Sequence, residues 1–282
     1  MAERDPVEVV GRPLLLCADD FGLSTGISAA IARLVRQGRI GAFGCITNMP
    51  HWADAAPTVR SLRSQALAGL HFNLTEGSPL SPRLARLWPE FPALPRLILL
   101  AHARALPLAA LADELDAQLA NFASGAGSAP DFIDGHQHVH HLPGVRDQVL
   151  ARVAHSGMAL RSTGRVVGPG DAVKRALIEH TGGRALARAA RALGLRHNSV
   201  LLGAYNFIDP DYRSRMQGWL ASVPAAGALL FCHPGFDGVR GQGRPDPIAA
   251  ARLREADYLG SADFLVDLAE AKVSLSNTWP SI

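Results

Sequence analysis

Acids and imidazoles collect where apolar runs end in this chain. Asp19-Asp20 follows Pro13-Leu14-Leu15-Leu16-Cys17-Ala18, and His71 follows Ala66-Leu67-Ala68-Gly69-Leu70. Asp134-Gly135-His136-Gln137-His138-Val139-His140-His141 follows Asp131-Phe132-Ile133. One carboxylate and two imidazoles suffice to hold a divalent cation with a position left for water. Adjacent carboxylates on an extended backbone point to opposite sides, so Asp19 and Asp20 have different jobs. One can bind a metal while the other handles a proton, their pKa values separated by mutual repulsion and a nearby cation. Capping of the helix that starts near Ser24 is the plainer role for the pair. Four imidazoles within the six residues His136 to His141 are more than packing normally concentrates. If that stretch is extended, His136, His138 and His140 share a side while Gln137 and Val139 face away.

His233 closes the apolar run Ala228-Leu229-Leu230-Phe231-Cys232 and precedes Pro234-Gly235, so it stands at the same kind of position. Cys232 beside it has no obvious activating partner and reads as a small buried residue. Arg161 ends the run from Met158 and can hold an anionic or carbonyl group of a substrate, or form an ordinary ion pair. Among Trp52, Trp88, Trp219 and Trp279, Trp88 is the best placed to stack on a sugar ring, and the others read as core or rim.

Composition bounds the class. With 282 residues, 48% hydrophobic and 19% charged, the chain can bury a sizeable core. Barrels of about 250 residues are routinely one domain, so residues 1–282 are read as a single domain. The formal charge of +3 and pI near 9.0 do not point to nucleic acid, because the arginines are scattered and no block of like charge occurs. Cys17, Cys45 and Cys232 are odd in number, lack CxxC spacing and lie in or beside apolar runs, which fits a reducing compartment. No secretory pattern opens the chain and no stretch approaches 18 uncharged apolar residues, so a cytoplasmic protein without a membrane span is expected, with homodimerisation left open.

Strand-like runs alternate with stretches of helical period, the pattern of βα units around a parallel sheet. Strands are expected at about 13–18, 40–47, 66–72, 131–134, 158–161, 199–202, 228–233 and 273–276. Helices are expected at about 25–37, 52–63, 108–122, 143–155, 171–193, 210–222 and 247–268, with Pro143 in a first turn. Pro79, Pro82, Pro89, Pro92, Pro95 and Pro107 break the rhythm between Gly77 and Pro107, which reads as a long loop over the strand ends after the third strand. No GxGxxG or GxxxxGK[ST] loop follows the first strand, so a closed or nearly closed (β/α) barrel, TIM-barrel-like and possibly distorted, is favoured over an open sheet. Such a fold gathers the carboxyl ends of its strands on one face.

At these residues the chain resembles the YdjC-like carbohydrate deacetylases, the family that includes chitooligosaccharide deacetylases and hopanoid-associated deacetylases. The matching pieces are Ala18-Asp19-Asp20-Phe21-Gly22-Leu23-Ser24, Gly69-Leu70-His71-Phe72-Asn73-Leu74-Thr75, Asp134-Gly135-His136-Gln137-His138-Val139-His140 and Cys232-His233-Pro234-Gly235. The resemblance implies a (β/α)-barrel-like domain and one divalent metal held by Asp20, His71 and His136, with Asp19 as general base. Cys17 stands where many members have Asn, and the Pro-rich segment has no matching family pattern.

Together these readings give a metal-dependent hydrolase that removes the N-acetyl group from an acetylated amino sugar, an oligosaccharide or a glycoconjugate. A protonated His233, or else His138, would give a proton to the leaving amine, and His138, Arg161 and Trp88 would contact substrate. The oxygen and nitrogen donors suit zinc and tolerate magnesium or manganese. Two other classes remain: a phosphoesterase using the same ligands, which should want more cations around the open position, and a non-catalytic metal- or sugar-binding protein, which would not need Asp19.

Overall fold

A computed structural model describes residues 11–236, 238–240 and 243–280. Strand β1 (Arg12–Phe21), helix α1 (Thr25–Arg36), β2 (Ala42–Cys45), α2 (Trp52–Leu62) and β3 (Leu67–Phe72) open the fold. Next come α3 (Pro82–Leu87), α4 (Leu94–His102), α5 (Leu108–Ala126), β4 (Phe132–Gly135), α6 (Val145–Val153) and β5 (Ala159–Leu160). The remainder is α7 (Ala172–Ile178), α8 (Arg184–Ala192), β6 (Leu201–Leu202), α9 (Tyr212–Ala221), β7 (Ala228–Cys232), the hairpin β8 (Val239–Arg240) and β9 (Arg244–Pro245), α10 (Ala249–Gly260), α11 (Ala262–Glu270) and β10 (Val273–Leu275).

The main sheet runs β5-β4-β3-β2-β1-β7-β6 with parallel pairings throughout. One edge of β1 pairs first with β10, from Arg12↔Val273 to Leu14↔Leu275, and then with β2 from Cys17↔Ala42 onward. Two isolated parallel bridges, Leu160↔His197 and Val166↔Leu201, span the gap between the β5 and β6 edges. The result is the nearly closed α/β barrel that the alternation of strands and helices predicts.

Side-chain alternation divides the barrel into an outer and an inner core. Leu14, Leu16, Ala18, Leu70 and Leu230 join the large cluster shared with the helices, while Leu15, Cys17, Ala42, Phe132, Ala159, Leu201, Leu229 and Phe231 form a second, interior cluster. Trp279 packs into this interior against Phe132 at 4.8 Å between ring centroids. Two steps further along each strand, the same inward positions are Asp19, His71, Asp134, Arg161 and His233. The chemistry-bearing residues therefore continue the barrel interior at its carboxyl end.

Several local expectations are corrected. The Gly77–Pro107 segment is not irregular throughout: Pro82 and Pro95 sit in the first turns of α3 and α4, where a missing N–H costs nothing. Its helices cover the strand ends, with Leu84, Leu97 and Ala101 buried in the outer core. His136–His141 is a 3-10 turn and not an extended stretch, with Gln137 at φ 52° and His138 at φ 63°. Helix α6 begins at Val145 after Gly144 at φ 82°, so Pro143 lies just outside it. The helix expected at 171–193 is interrupted by a π-turn at Glu179–Gly183, and the one at 247–268 breaks at Ser261, whose side chain caps α11. No helix among the described residues is long and apolar enough to cross a membrane.

Glycines make room inside the barrel. A Cβ on Gly69 would fall 2.4–2.5 Å from three atoms of the Phe132 ring, closer than any packed contact allows. Gly69→Ala therefore costs about 1–3 kcal/mol through overpacking, read as a lower midpoint in urea, and Phe132→Leu in the same chain recovers part of it. A midpoint equal to that of the parent would contradict this packing.

Candidate metal centre and active-site cavity

Parallel register brings the acids and imidazoles together. His71 lies opposite Asp134 in the β3–β4 pair, and Ala18 lies opposite Cys232 in the β1–β7 pair, so Asp19 and His233 leave that pair side by side. Asp19 and Asp20 lie inside β1 and not beyond it, at an irregularity where the register against β2 shifts between Ala18 and Phe21. Asp20 has φ 76°, a conformation that costs a non-glycine residue energy and recurs at functional sites. This bulge breaks strict alternation, which is how both adjacent carboxylates reach the same cavity.

Ligand-capable atoms of Asp20, His71 and His136 all lie within 4.8 Å of one another. Asp20 Oδ1 is 2.9 Å from His136 Nδ1 and 3.5 Å from His71 Nε2. His71 Nδ1 is 2.6 Å from Asp134 Oδ1, a carboxylate contact that orients the ring and leaves Nε2 facing the acids. His136 Nε2 is buried without a hydrogen-bond partner. Gly44 supplies the space, since a Cβ there would sit 3.1 Å from His71 Nδ1. An oxygen and two imidazole nitrogens, close together and with an orphaned nitrogen, fit a divalent cation.

Charge supports the same assignment. Arg161 donates from Nη1 to Asp19 Oδ2 at 2.7 Å and from Nη2 to Asp19 Oδ1 at 2.6 Å, and Nη2 also lies 2.6 Å from Asp134 Oδ2. Arg252 donates to Asp20 Oδ2 at 2.7 Å and to Asp246 Oδ2 at 2.5 Å. These four buried carboxylates face two guanidiniums, and the excess of negative charge favours a cation between them. Burial raises the Asp19 carboxyl above its usual range, with Arg161 and His71 pulling it back only in part. Burial would raise Asp20 too, but Arg252 and His136 outweigh it and hold Asp20 ionised. Two neighbouring acids with opposite shifts divide naturally into a proton acceptor and a permanent anion. Burial would lower the His71 imidazole, yet Asp134 and Asp19 prevail and lift it to about 10.

A cavity of about 290 Å³ opens above this cluster, lined by Asp19, Asp20, His71, His136, His138 and His233 among others. Its far walls are largely apolar, with Leu94 and Ile98 of α4, Leu177 and Ile178 of α7, and Ile248. His138 stands edge-on to Phe231 at 5.4 Å, and His233 stands edge-on to Phe207 at 5.1 Å. Burial pushes both imidazoles well below their ordinary value, so each is neutral in this structure. His140 is not among the lining residues, its Nε2 bonding the Arg161 carbonyl, whereas His141 lines the cavity with its ring nitrogens bonded to Thr163 and Thr181.

Two expected substrate contacts are elsewhere. Arg161 is fully buried beneath the cavity and engaged by Asp19, Asp134 and Cys17, so it positions acids and is not among the lining residues. Trp88 caps α3 and packs against the outer core, also outside the lining. Sequence reading missed Arg252, Asp246 and Glu255. Arg252 and Glu255 share the buried stripe of α10 with Ala251, Ala256 and Leu259, and charges inside an apolar stripe were the available signal. Glu255 accepts from Tyr205 Oη and from the His233 backbone N–H, both at 2.5 Å, and burial pushes it up to about 7.

Fold and site together define a parallel α/β barrel whose carboxyl end carries a buried Asp-His-His cluster beside a second carboxylate. Residues 13–270 match the family model described as YdjC-like protein, and the chain belongs to that family. It is 35% identical over 155 residues to a chitooligosaccharide deacetylase of Enterobacter sp. (strain 638), and 36% identical over 157 residues to one of Salmonella typhimurium. Those stretches cover 52% and 53% of this chain and 58% and 59% of the two relatives, so the likeness spans little more than half of each. A solved structure from Enterococcus faecalis V583, named as a candidate for cellobiose-phosphate cleavage, shares the fold with a TM-score of 0.74 at 20% identity, covering 95% of this chain and 97% of that one.

Arg161 is the keystone of the acid cluster. Arg161→Met leaves buried Asp19 and Asp134 to share the His71 imidazolium alone, which costs about 3–5 kcal/mol. Denaturation of the two proteins at neutral pH measures it, and a loss below about 1 kcal/mol would contradict the role assigned to Arg161.

Proposed function

We propose that the protein is a metal-dependent hydrolase that removes the N-acetyl group of an acetylated amino sugar and releases acetate. The observation that carries this reading is the convergence of Asp20, His71 and His136 beside Asp19 in one cavity. The relatives named chitooligosaccharide deacetylase support the substrate class. Asp20, His71 and His136 would hold one divalent ion, zinc by preference of the nitrogen donors, with magnesium or manganese compatible. The chemistry such an ion supplies is polarisation of the acetyl carbonyl and acidification of a bound water.

The chain's own groups perform the proton transfers. Asp19, oriented through both oxygens by Arg161 and with a raised proton affinity, takes a proton from the attacking water. His71 is held in orientation by Asp134, and Arg252 keeps Asp20 ionised. His233 passes a proton to the leaving nitrogen. Its resting ring is neutral, so the proton that Asp19 takes from the water passes to it as the anionic tetrahedral adduct forms nearby and raises its pKa, and the ring releases that proton to the nitrogen as the C–N bond breaks. His138, on the opposite wall against Phe231, contacts the sugar. The aliphatic wall of Leu94, Ile98, Leu177 and Ile248 favours a glycoconjugate with an apolar portion over a bare oligosaccharide.

Acetate release from N-acetylglucosamine, its β-1,4 oligomers and glycolipid-linked forms tests the function. Turnover should cease with a chelator and return with added zinc, magnesium or manganese. Asp19→Asn should lower kcat by about 100- to 10,000-fold while leaving metal content unchanged. Full activity in the chelator or in Asp19→Asn would overturn the mechanism.

Metal affinity should depend on pH. Because the folded, metal-free protein carries a proton on His71 up to about pH 10, binding a cation there must expel it. The dissociation constant should tighten about tenfold per pH unit through the neutral range, one proton being released per ion. Calorimetry in buffers of different ionisation enthalpy counts that proton, and affinity independent of pH would contradict the assignment.

A further inference from the structure

The cavity's charged side chains are paired with one exception. Asp19 is held by Arg161, and Asp20 and Asp246 by Arg252. Lys174 also lines the cavity, and among the described residues no carboxylate stands within 4.0 Å of its ammonium. Its Nζ instead donates to the Tyr205 carbonyl at 2.8 Å and lies 4.2 Å from the centroid of the Phe207 ring. A half-buried ammonium with no carboxylate in contact keeps donor capacity for a ligand, since only one of its hydrogen bonds goes to Tyr205. Burial pulls Lys174 down to about 8, with Asp171 and Glu255 restoring only part of the loss.

Phe207 carries a second, independent anomaly. An aromatic residue rarely adopts positive φ, yet Phe207 sits at φ 67°. The surroundings that impose this are Lys174 over the ring, Tyr205 at 4.5 Å and His233 at 5.1 Å between centroids. The strained backbone places an aromatic ring in the cavity wall directly against the histidine assigned to the leaving nitrogen. A cation that can donate hydrogen bonds next to an aromatic surface suits a pyranose ring, whose hydroxyls accept from the ammonium and whose C–H face packs on the ring.

We propose that Lys174 and Phe207 form the subsite that grips the sugar ring and selects the amino sugar whose acetamide reaches the metal centre. The proposal rests on the deacetylase reading. Lys174 donates to a ring hydroxyl, and Phe207 covers the apolar face of the same sugar. Hydrogen bonds from a charged donor are among the stronger ones, so losing this one weakens substrate binding more than chemistry.

Steady-state acetate release by the metal-loaded protein tests it, using an N-acetylglucosamine substrate that the parent turns over. Lys174→Met and Phe207→Ala should each lower kcat/KM at least tenfold, with most of the loss in KM, and Lys174→Arg should recover part of it. Lys174→Gln and Phe207→Leu stand in for any variant that does not fold, as judged by thermal denaturation. Unchanged KM in Lys174 and Phe207 variants that fold would overturn the proposal, as would a loss confined to kcat. A parent that releases no acetate from any acetylated sugar would instead overturn the deacetylase reading. In that event, calorimetric binding of N-acetylglucosamine oligomers to the parent and to Lys174→Met decides the subsite, and equal affinity of the two would end it.

Discussion

Burying four carboxylates at one end of a barrel is the constraint that organises this protein. Asp19, Asp20, Asp134 and Asp246 lie out of water, where each ionised group is costly unless paired. Arg161 spans Asp19 and Asp134, and Arg252 spans Asp20 and Asp246, so each guanidinium serves two acids. The planar fork of arginine makes such double service possible where lysine would offer a point charge. The four acids still outnumber the two guanidiniums, and protonated His71 makes up part of the difference.

The same constraint explains the local backbone. The bulge in β1 and the positive φ of Asp20 allow two consecutive acids to face one cavity, each beside a different arginine. Glycines at 44 and 69 open the space that His71 and Phe132 fill. Apolar side chains close the lower barrel, so the polar cluster rests on a packed floor. Rigid support of this kind is what a reacting centre needs, because small displacements of positioned groups are costly to rate.

Much of this was legible in the sequence, for identifiable reasons. Apolar runs ending in Asp, His or Arg marked the strand ends, and the Pro-Gly punctuation marked the turns, so the alternation of β and α and the placing of Asp19, Asp20, His71, His136 and His233 at the carboxyl ends of strands could be read from the residues, whereas the grouping of Asp20 with His71 and His136 came from the family resemblance. Three things could not. The 3-10 geometry of His136–His141 depends on left-handed residues that side-chain type does not announce, and it separates His138 from His140. The helices of the Pro-rich segment use proline in their first turns, where it starts helices instead of breaking them. The contribution of α10 through Arg252 and Glu255 is purely tertiary, since it comes from a helix far along the chain folding back over β1.

The central claim is that one divalent ion is held by Asp20, His71 and His136. X-ray absorption spectroscopy on the zinc-loaded protein reads that shell directly. The account predicts one ion per chain, with two imidazole nitrogens and carboxylate or water oxygen at about 2.0–2.2 Å, and loss of an imidazole in His71→Ala or His136→Ala. A shell without imidazole, or one that both variants leave intact, would contradict it.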